Sequence, residues 1–408
     1  MPKFLIIDDF DLRNKTVLVR VDFNSPIDPN TKKILDDTRI RAHADATIKE
    51  LVKKGAKTVI LAHQGRPGDA DFIGLDQHAA LLGKALNMPV QYVDDVVGKQ
   101  AQNAIKALKS GEVLVLGNVR GLPYEQSKGT PEEHSKTEFV KNLAPLADVF
   151  INDAFAAAHR AHASMVGFTA VLPSAAGRIM ERELKALGKV LESPEKPSVF
   201  VIGGAKGDDS LDISTYVLKN NIADYVLTGG VIGHVFLVAK GVDLGEANMK
   251  FLEKKELMGL VPGIKELMNQ YPGAIIVPVD LAMEVDQKRK EITVDELPTS
   301  HPIFDIGTET AKKFSEIILK AKTIVVSGPV GVFENPEFKA GSQMVLEAVA
   351  ASEGFSLVGG GHTVAAVENL GLADKMSYVS TAGGALIEFL MGKQLPGVVA
   401  LEKAAART

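Results

Sequence analysis

The chain has no cysteine and no tryptophan. Without cysteine there are no disulfides, thiolate metal sites or cysteine nucleophiles. The joint absence is compatible with a hot-living source. No apolar run reaches the roughly 20 residues that a membrane helix needs. The opening MPKFLIIDDF places acids where a signal peptide would carry its apolar run, so the expected location is cytoplasmic. A formal net charge of −5 gives no general attraction for nucleic acid or an anionic membrane. No Gly-x4-Gly-Lys-[Ser/Thr] occurs, no Gly-x-Gly-x-x-Gly opens a helix after the first strand of either half, and no His-Glu-x-x-His is present. These absences count against a P-loop NTPase, a dinucleotide dehydrogenase and a zincin.

What is present is an ordinary globular composition, 46% hydrophobic and 24% charged over 408 residues. Single cores stop growing near roughly 250–300 residues, so two domains are expected. Short β-rich apolar runs at 16–23, 58–62, 113–116 and 148–152 alternate with helical periodicity at 39–54, 75–86, 99–109 and 132–146. Further strand-like runs lie near 198–202, 225–227, 274–279, 323–326 and 355–358. Such alternation marks βαβ units. The amphipathic stretch 173–191 has no Gly/Ser enrichment and reads as a connecting helix. The expected fold is α/β: two doubly wound, Rossmann-like parallel-sheet domains joined by that helix, with bounds 1–172, 173–192 and 193–384.

In open parallel sheets ligands bind beyond the carboxyl ends of the strands. In the first half these positions carry Asp22 and Asn24, His63 and Arg66, Arg120, and then His159, Arg160 and His162; Arg39 opens the first helix. Nine of the eleven arginines fall at or before Arg182. Scattered surface ion pairs would explain any one of them, but together they describe a basic crevice for a small, multiply charged anion. His159 and His162 are spaced for a metal, yet Arg160 between them would repel a cation. His43, His78, His134, His234 and His301 show no partner pattern and read as surface or packing residues.

The second half ends its strands in glycine: Gly203-Gly204-Ala205-Lys206, Gly229-Gly230, Gly328-Pro329-Val330-Gly331, Gly359-Gly360-Gly361-His362-Thr363 and Ala382-Gly383-Gly384. One such turn would be only a tight connection; five favour a nucleotide, with phosphate oxygens on helix N-termini. Lys206 would then face the phosphates and Glu334 the ribose. An anion site and a nucleotide site on two closing domains describe a kinase for a small anionic metabolite. A nicotinamide dehydrogenase and a two-domain solute-binding protein are the rival readings.

The motifs Arg20-Val-Asp-Phe-Asn24, Asp37-Thr-Arg-Ile40, Ala62-His-Gln-Gly-Arg-Pro67, Asn152-Asp-Ala-Phe155 with Ala158-His-Arg-Ala-His162, Gly203-Gly-Ala-Lys206, Gly328-Pro-Val-Gly-Val-Phe-Glu334, Gly359-Gly-Gly-His-Thr363 and Leu395-Pro-Gly397 resemble phosphoglycerate kinase. The resemblance runs from about residue 16 onward. It implies reversible phosphoryl transfer between 1,3-bisphosphoglycerate with ADP and 3-phosphoglycerate with ATP, assisted by magnesium. It implies a glycerate set of Asp22, Phe23, Asn24, Arg39, His63, Gln64, Gly65, Arg66, Arg120 and Arg160, and a nucleotide set of Lys206, Glu334, Gly360, Gly361, His362 and Thr363. Arg39 and Lys206 would stabilise the transferring group, and residues 385–408 would return to the first domain. A monomer is expected, with a homodimer as the alternative. Ser210 stands where the common pattern has a second lysine, His362 where it has an aspartate associated with magnesium, and Ser327 where it has asparagine. These variants resemble the archaeal branch. Histidine is a poor magnesium ligand, so no protein ligand for the ion is named.

Overall fold

A computed structural model describes residues 4–407. The chain divides into two compact units, one running through Lys185 and rejoined from Gln394, the other spanning Ala186–Lys393.

The first unit is built on seven strands: β1 (Leu5–Ile6), β2 (Thr16–Arg20), β3 (Lys57–Leu61), β4 (Gln91–Tyr92), β5 (Val113–Val115), β6 (Val149–Asn152) and β7 (Ser174–Ala176). All pairings are parallel, in the order β1-β7-β6-β2-β3-β5-β4. Strand residues alternate between faces. Val17, Val19, Ile60, Val115 and Ile151 pack with Ile40, Ile48 and Leu82 on one side. Leu18, Val59, Leu114 and Phe150 pack with Ile105, Phe139 and Leu143 on the other. Both faces are therefore buried, as a parallel sheet requires.

The second unit contains β8 (Ser198–Ile202), β9 (Tyr225–Thr228), β10 (Ile275–Ile276), β11 (Asp280–Val285), β12 (Lys288–Thr293), β13 (Ile303–Ile306), β14 (Thr323–Ser327), β15 (Phe355–Gly359) and β16 (Tyr378–Val379). Six form a parallel sheet, β10-β9-β8-β14-β15-β16, and three a small antiparallel sheet, β12-β11-β13.

Several elements differ from the sequence expectation. The connecting helix begins at Arg178, because residues 174–176 are drawn into the first sheet between β1 and β6. The helix expected over 39–54 is interrupted by a π-helical turn, Ala44–Ile48. That over 132–146 breaks between Pro131–His134 and Glu138–Leu143, where Ser135 and Thr137 hydroxyls donate to the Glu132 and His134 carbonyls. The C-terminal return starts at Gln394, not at residue 385. The helix Gly383–Leu390 buries Ala385, Leu386 and Leu390 within the second unit and packs on Gly207–Lys219. The last helix, Pro396–Ala405, lies on the first unit, where the Gly397 N–H donates to the Ala158 carbonyl at 2.9 Å.

Candidate active site

The central strands β6, β2, β3 and β5 are neighbours, and their carboxyl ends gather Arg20, Arg66, Arg120 and Arg160. Arg20, the last residue of β2, is wholly buried. Its Nε donates to Ser164 Oγ at 2.8 Å, its Nη2 to His63 Nδ1 at 2.9 Å, and its Nη1 to the Val21 carbonyl. Since a guanidinium only donates, His63 Nδ1 accepts and its proton sits on Nε2. Burial first, then the charges of Arg20 and Arg120, hold the His63 pKa well below its ordinary value. His63 is thus a neutral ring with an N–H unspent among the described residues.

Arg120 is also buried and donates from Nη1 to the Gly65 carbonyl at 2.5 Å. Burial, and then the charges of Arg160, Arg20 and Arg66, lower its pKa to about 10. Arg160 donates from Nε to His159 Nε2 at 3.1 Å. His162 falls to about 3, through burial and then Arg20, Arg160 and Arg120. The acid inside this cluster is Glu125, fully buried, accepting the Ser164 N–H at 2.8 Å and hydroxyl at 2.5 Å. Burial raises its pKa to about 7 against the pull of Arg20 and Ser164. Mutually repelling guanidiniums with one weakly ionised acid form a site that a multivalent anion stabilises.

Beside it, Asp22 accepts from Arg39 Nη1 at 2.5 Å and from the Asn24 N–H at 3.2 Å. The Asn24 carbonyl oxygen Oδ1 in turn accepts the Gly65 N–H at 2.9 Å. The Asp22 N–H donates to His43 Nε2 at 3.1 Å, and His43 Nδ1 donates to Asp153 Oδ2 at 2.7 Å. Asp153 Oδ1 accepts from Ile179 and Met180 N–H at 2.8 and 3.3 Å, capping the connecting helix. His43 is thus a relay between the aspartate loop and that helix rather than a surface or packing residue.

Two of the expected glycerate residues turn their side chains away. Phe23 is core, edge-on to His43 and stacked on His78. Gln64 spends Oε1 on the Ser25 N–H and His78, and Nε2 on the Ser25 and Asp71 carbonyls. Both shape the loop. Arg66 is exposed.

In the second unit the loops after β8, β9, β14 and β15 stack closely. A Cβ on Gly203 would lie 2.2 Å from the Pro329 carbonyl oxygen, so this glycine serves loop packing and not a ligand. Gly360, at φ +88°, precedes the helix Gly361–Asn369, and a Cβ on Gly361 would meet nothing within 4 Å. The open amides therefore lie at the start of that helix, where phosphate binds well. The Thr363 hydroxyl accepts the Gly328 N–H at 2.8 Å and ties the two loops together. Lys206 is exposed, with no ion pair among the described residues, whereas the Ser210 hydroxyl donates to the Lys206 carbonyl at 2.7 Å. A cavity of ≈ 370 Å³ opens against these loops, with Pro302, Ile303, Phe304 and Val332 on its wall and Glu334 and His362 among its lining residues. Glu334 and His362 are exposed and face each other at 3.2 Å.

Among the described residues no group of three or more His, Asp or Glu could hold a metal ion. Among the described residues the side chains do not build a magnesium cage.

A sequence model described as phosphoglycerate kinase matches residues 7–393. The chain belongs to the phosphoglycerate kinase family. Phosphoglycerate kinases of Methanothermobacter thermautotrophicus and Methanococcus maripaludis are 49% and 50% identical to it, each match covering 98% of this chain and 97% and 98% of the relative. The crystal structure of phosphoglycerate kinase from Pyrococcus horikoshii superposes with a TM-score of 0.88 at 40% identity, covering 99% of both chains. That from Coxiella burnetii gives 0.85 at 34%, covering 98% of this chain and 100% of the other. The family uses ATP and ADP, generally with magnesium. Among the described residues no helix is long and apolar enough to cross a membrane.

Sequence reasoning missed Glu125, Ser164, His43 and Asp153 as members of this buried polar network. Ser164 and Asp153 lie within or beside quoted family motifs, but Glu125 had no local signal at all.

Proposed function

We propose that the chain transfers a phosphoryl group reversibly between ATP and the carboxylate of 3-phosphoglycerate, giving ADP and 1,3-bisphosphoglycerate. The observation that carries this reading is the buried arginine cluster: Arg20, Arg120 and their neighbours raise more positive charge than Glu125 answers. A carboxylate oxygen attacks the γ-phosphorus, the bond to the β–γ bridging oxygen breaks, and ADP leaves with the electron pair. The carboxylate has no proton to lose at neutral pH, so no general base is needed. What remains is positioning and charge neutralisation.

In this reading Arg66, Arg120, Arg160 and the His63 N–H hold the anionic ends of the glycerate, and Asp22 and Asn24 meet its hydroxyl. Arg39, now resting on Asp22, and the exposed Lys206 flank the transferring group. Glu334 accepts from the ribose, and amides at Gly360, Gly361 and His362 take nucleotide phosphates, with Thr363 holding the loop. Magnesium arrives with the nucleotide. Each unit would bind one of the two substrates.

Arg39→Ala should lower turnover by about 10²–10³, as for other transition-state donors, with little change in nucleotide KM. Steady-state kinetics showing near-native turnover would remove Arg39 from the mechanism.

A further inference from the structure

Glu125 takes no part in the transfer described above, yet it stands at the base of the anion site. Both of its carboxylate oxygens rest on one residue: Oε1 accepts the Ser164 hydroxyl at 2.5 Å and Oε2 the Ser164 N–H at 2.8 Å. With its hydroxyl proton spent on Glu125, Ser164 Oγ is left as the acceptor for Arg20 Nε at 2.8 Å. Arg20 Nη2 in turn donates to His63 Nδ1 at 2.9 Å. Four side chains thus form one line from the buried acid to the His63 Nε2–H.

The charged groups around Glu125 come from the ends of four neighbouring strands. Arg20 and Arg120 pull on it directly, and Arg160 and Arg66 act on those two. Asp22, the other acid acting on Arg20, is paired with Arg39. His63 and His162 are held uncharged, and His159 keeps Nε2 as the acceptor for Arg160. The neighbouring Tyr124 phenol is pushed up by burial. That leaves Glu125, at about 7, to change its charge between pH 6 and pH 8.

We propose that Glu125 is a positioning residue of the glycerate site, aligning Arg20 and His63 through Ser164 and taking up a proton when the anion binds, an assignment that rests on the arginine cluster being the 3-phosphoglycerate site. Before the anion binds, the arginines hold the carboxylate partly ionised against its burial. A phosphate dianion seated on the same arginines cancels the field that favours ionisation, so the carboxylate takes a proton from solvent. Lodged on Oε1, that proton faces Ser164 Oγ at 2.5 Å and the uncharged His162 ring at 3.8 Å. Glycerate binding therefore tightens as pH falls through about 7.

Isothermal titration of the full chain with 3-phosphoglycerate, in buffers of different ionisation heat, counts the protons moved. The ligand's own phosphate also titrates, and subtracting the Glu125→Gln result removes that part. With the dianion raising the Glu125 pKa by about one unit, the native chain should take up about 0.4 proton more than the variant at pH 7. From pH 6 to pH 8 its affinity should weaken about fivefold relative to the variant. Infrared difference spectra of the native chain need no variant: 3-phosphoglycerate should increase the protonated carboxyl C=O band at pH 7. Ser164→Ala cuts the link to Arg20 and should weaken 3-phosphoglycerate about tenfold while leaving ADP binding unchanged. Glu125→Gln, which keeps the link, should stay within about threefold of native at pH 6. Equal proton counts in the native chain and Glu125→Gln, an unchanged carboxyl band, or full glycerate affinity in Ser164→Ala overturns the proposal. Failure of the native chain to bind 3-phosphoglycerate at all overturns the glycerate-site reading beneath it.

Discussion

Glu125 gives the account a prediction with a worked magnitude. It is fully buried among Arg20, Arg120 and Ser164, and burial raises its pKa from 4.5 to about 7. An acid whose native pKa exceeds its unfolded value binds its proton more tightly when folded. Its contribution to stability is complete below about pH 4.5 and is lost as pH rises through about 7. A gap of about 2.5 units corresponds to about 3 kcal/mol in full, of which about 2–3 kcal/mol is expressed between pH 5 and pH 8. Glu125→Gln keeps the shape and cannot ionise, and its amide can still meet the Ser164 N–H and hydroxyl. Urea unfolding of both proteins at pH 5 and pH 8 isolates the group, because every other titration cancels in the comparison. The variant should gain about 2–3 kcal/mol on the native chain over that interval. Parallel stabilities at the two pH values would refute the claim that a proton on Glu125 is held by burial.

Arg20→Lys should cost about 2–4 kcal/mol in urea unfolding, because one ammonium cannot serve Ser164, His63 and the Val21 carbonyl together; a loss under about 1 kcal/mol would contradict the buried network. Lys206→Met should depress turnover while leaving 3-phosphoglycerate affinity intact by isothermal titration; lost glycerate affinity would move Lys206 out of the nucleotide site.

How much of this was legible depends on whether the signal was local. Arg66, Arg120 and Arg160 could be read because a parallel sheet delivers whatever follows its strands to one edge. The end of β2 could not. Val21 and Phe23 continue the buried alternation although the ladder stops at Arg20, which is what frees Asp22 and Asn24 to turn upward. Residues 174–176 suit a helix locally, and only pairing of Ala175 with Ile151 and Leu5, distant in sequence, makes them a strand. The hairpin of β11 and β12 escaped notice because its turn uses Asp286 and Gln287 at φ 48° and 62°, without the Asn-Gly or Asp-Gly signature. His43 is a lone histidine whose meaning comes from a group far away in the chain, Asp153. The glycines cut the other way. Gly203 looks like a phosphate contact in the sequence and is occupied by loop packing in the fold.

The central claim is phosphoryl transfer to a carboxylate, and product trapping tests it most directly. The full chain would be incubated with magnesium ATP and 3-phosphoglycerate, and the acyl phosphate captured with hydroxylamine while ADP is counted. The account predicts hydroxamate and ADP in equal amounts, both vanishing when 3-phosphoglycerate is left out. Folded protein that binds ADP yet yields no hydroxamate would contradict it, leaving the arginine cluster to some other anion.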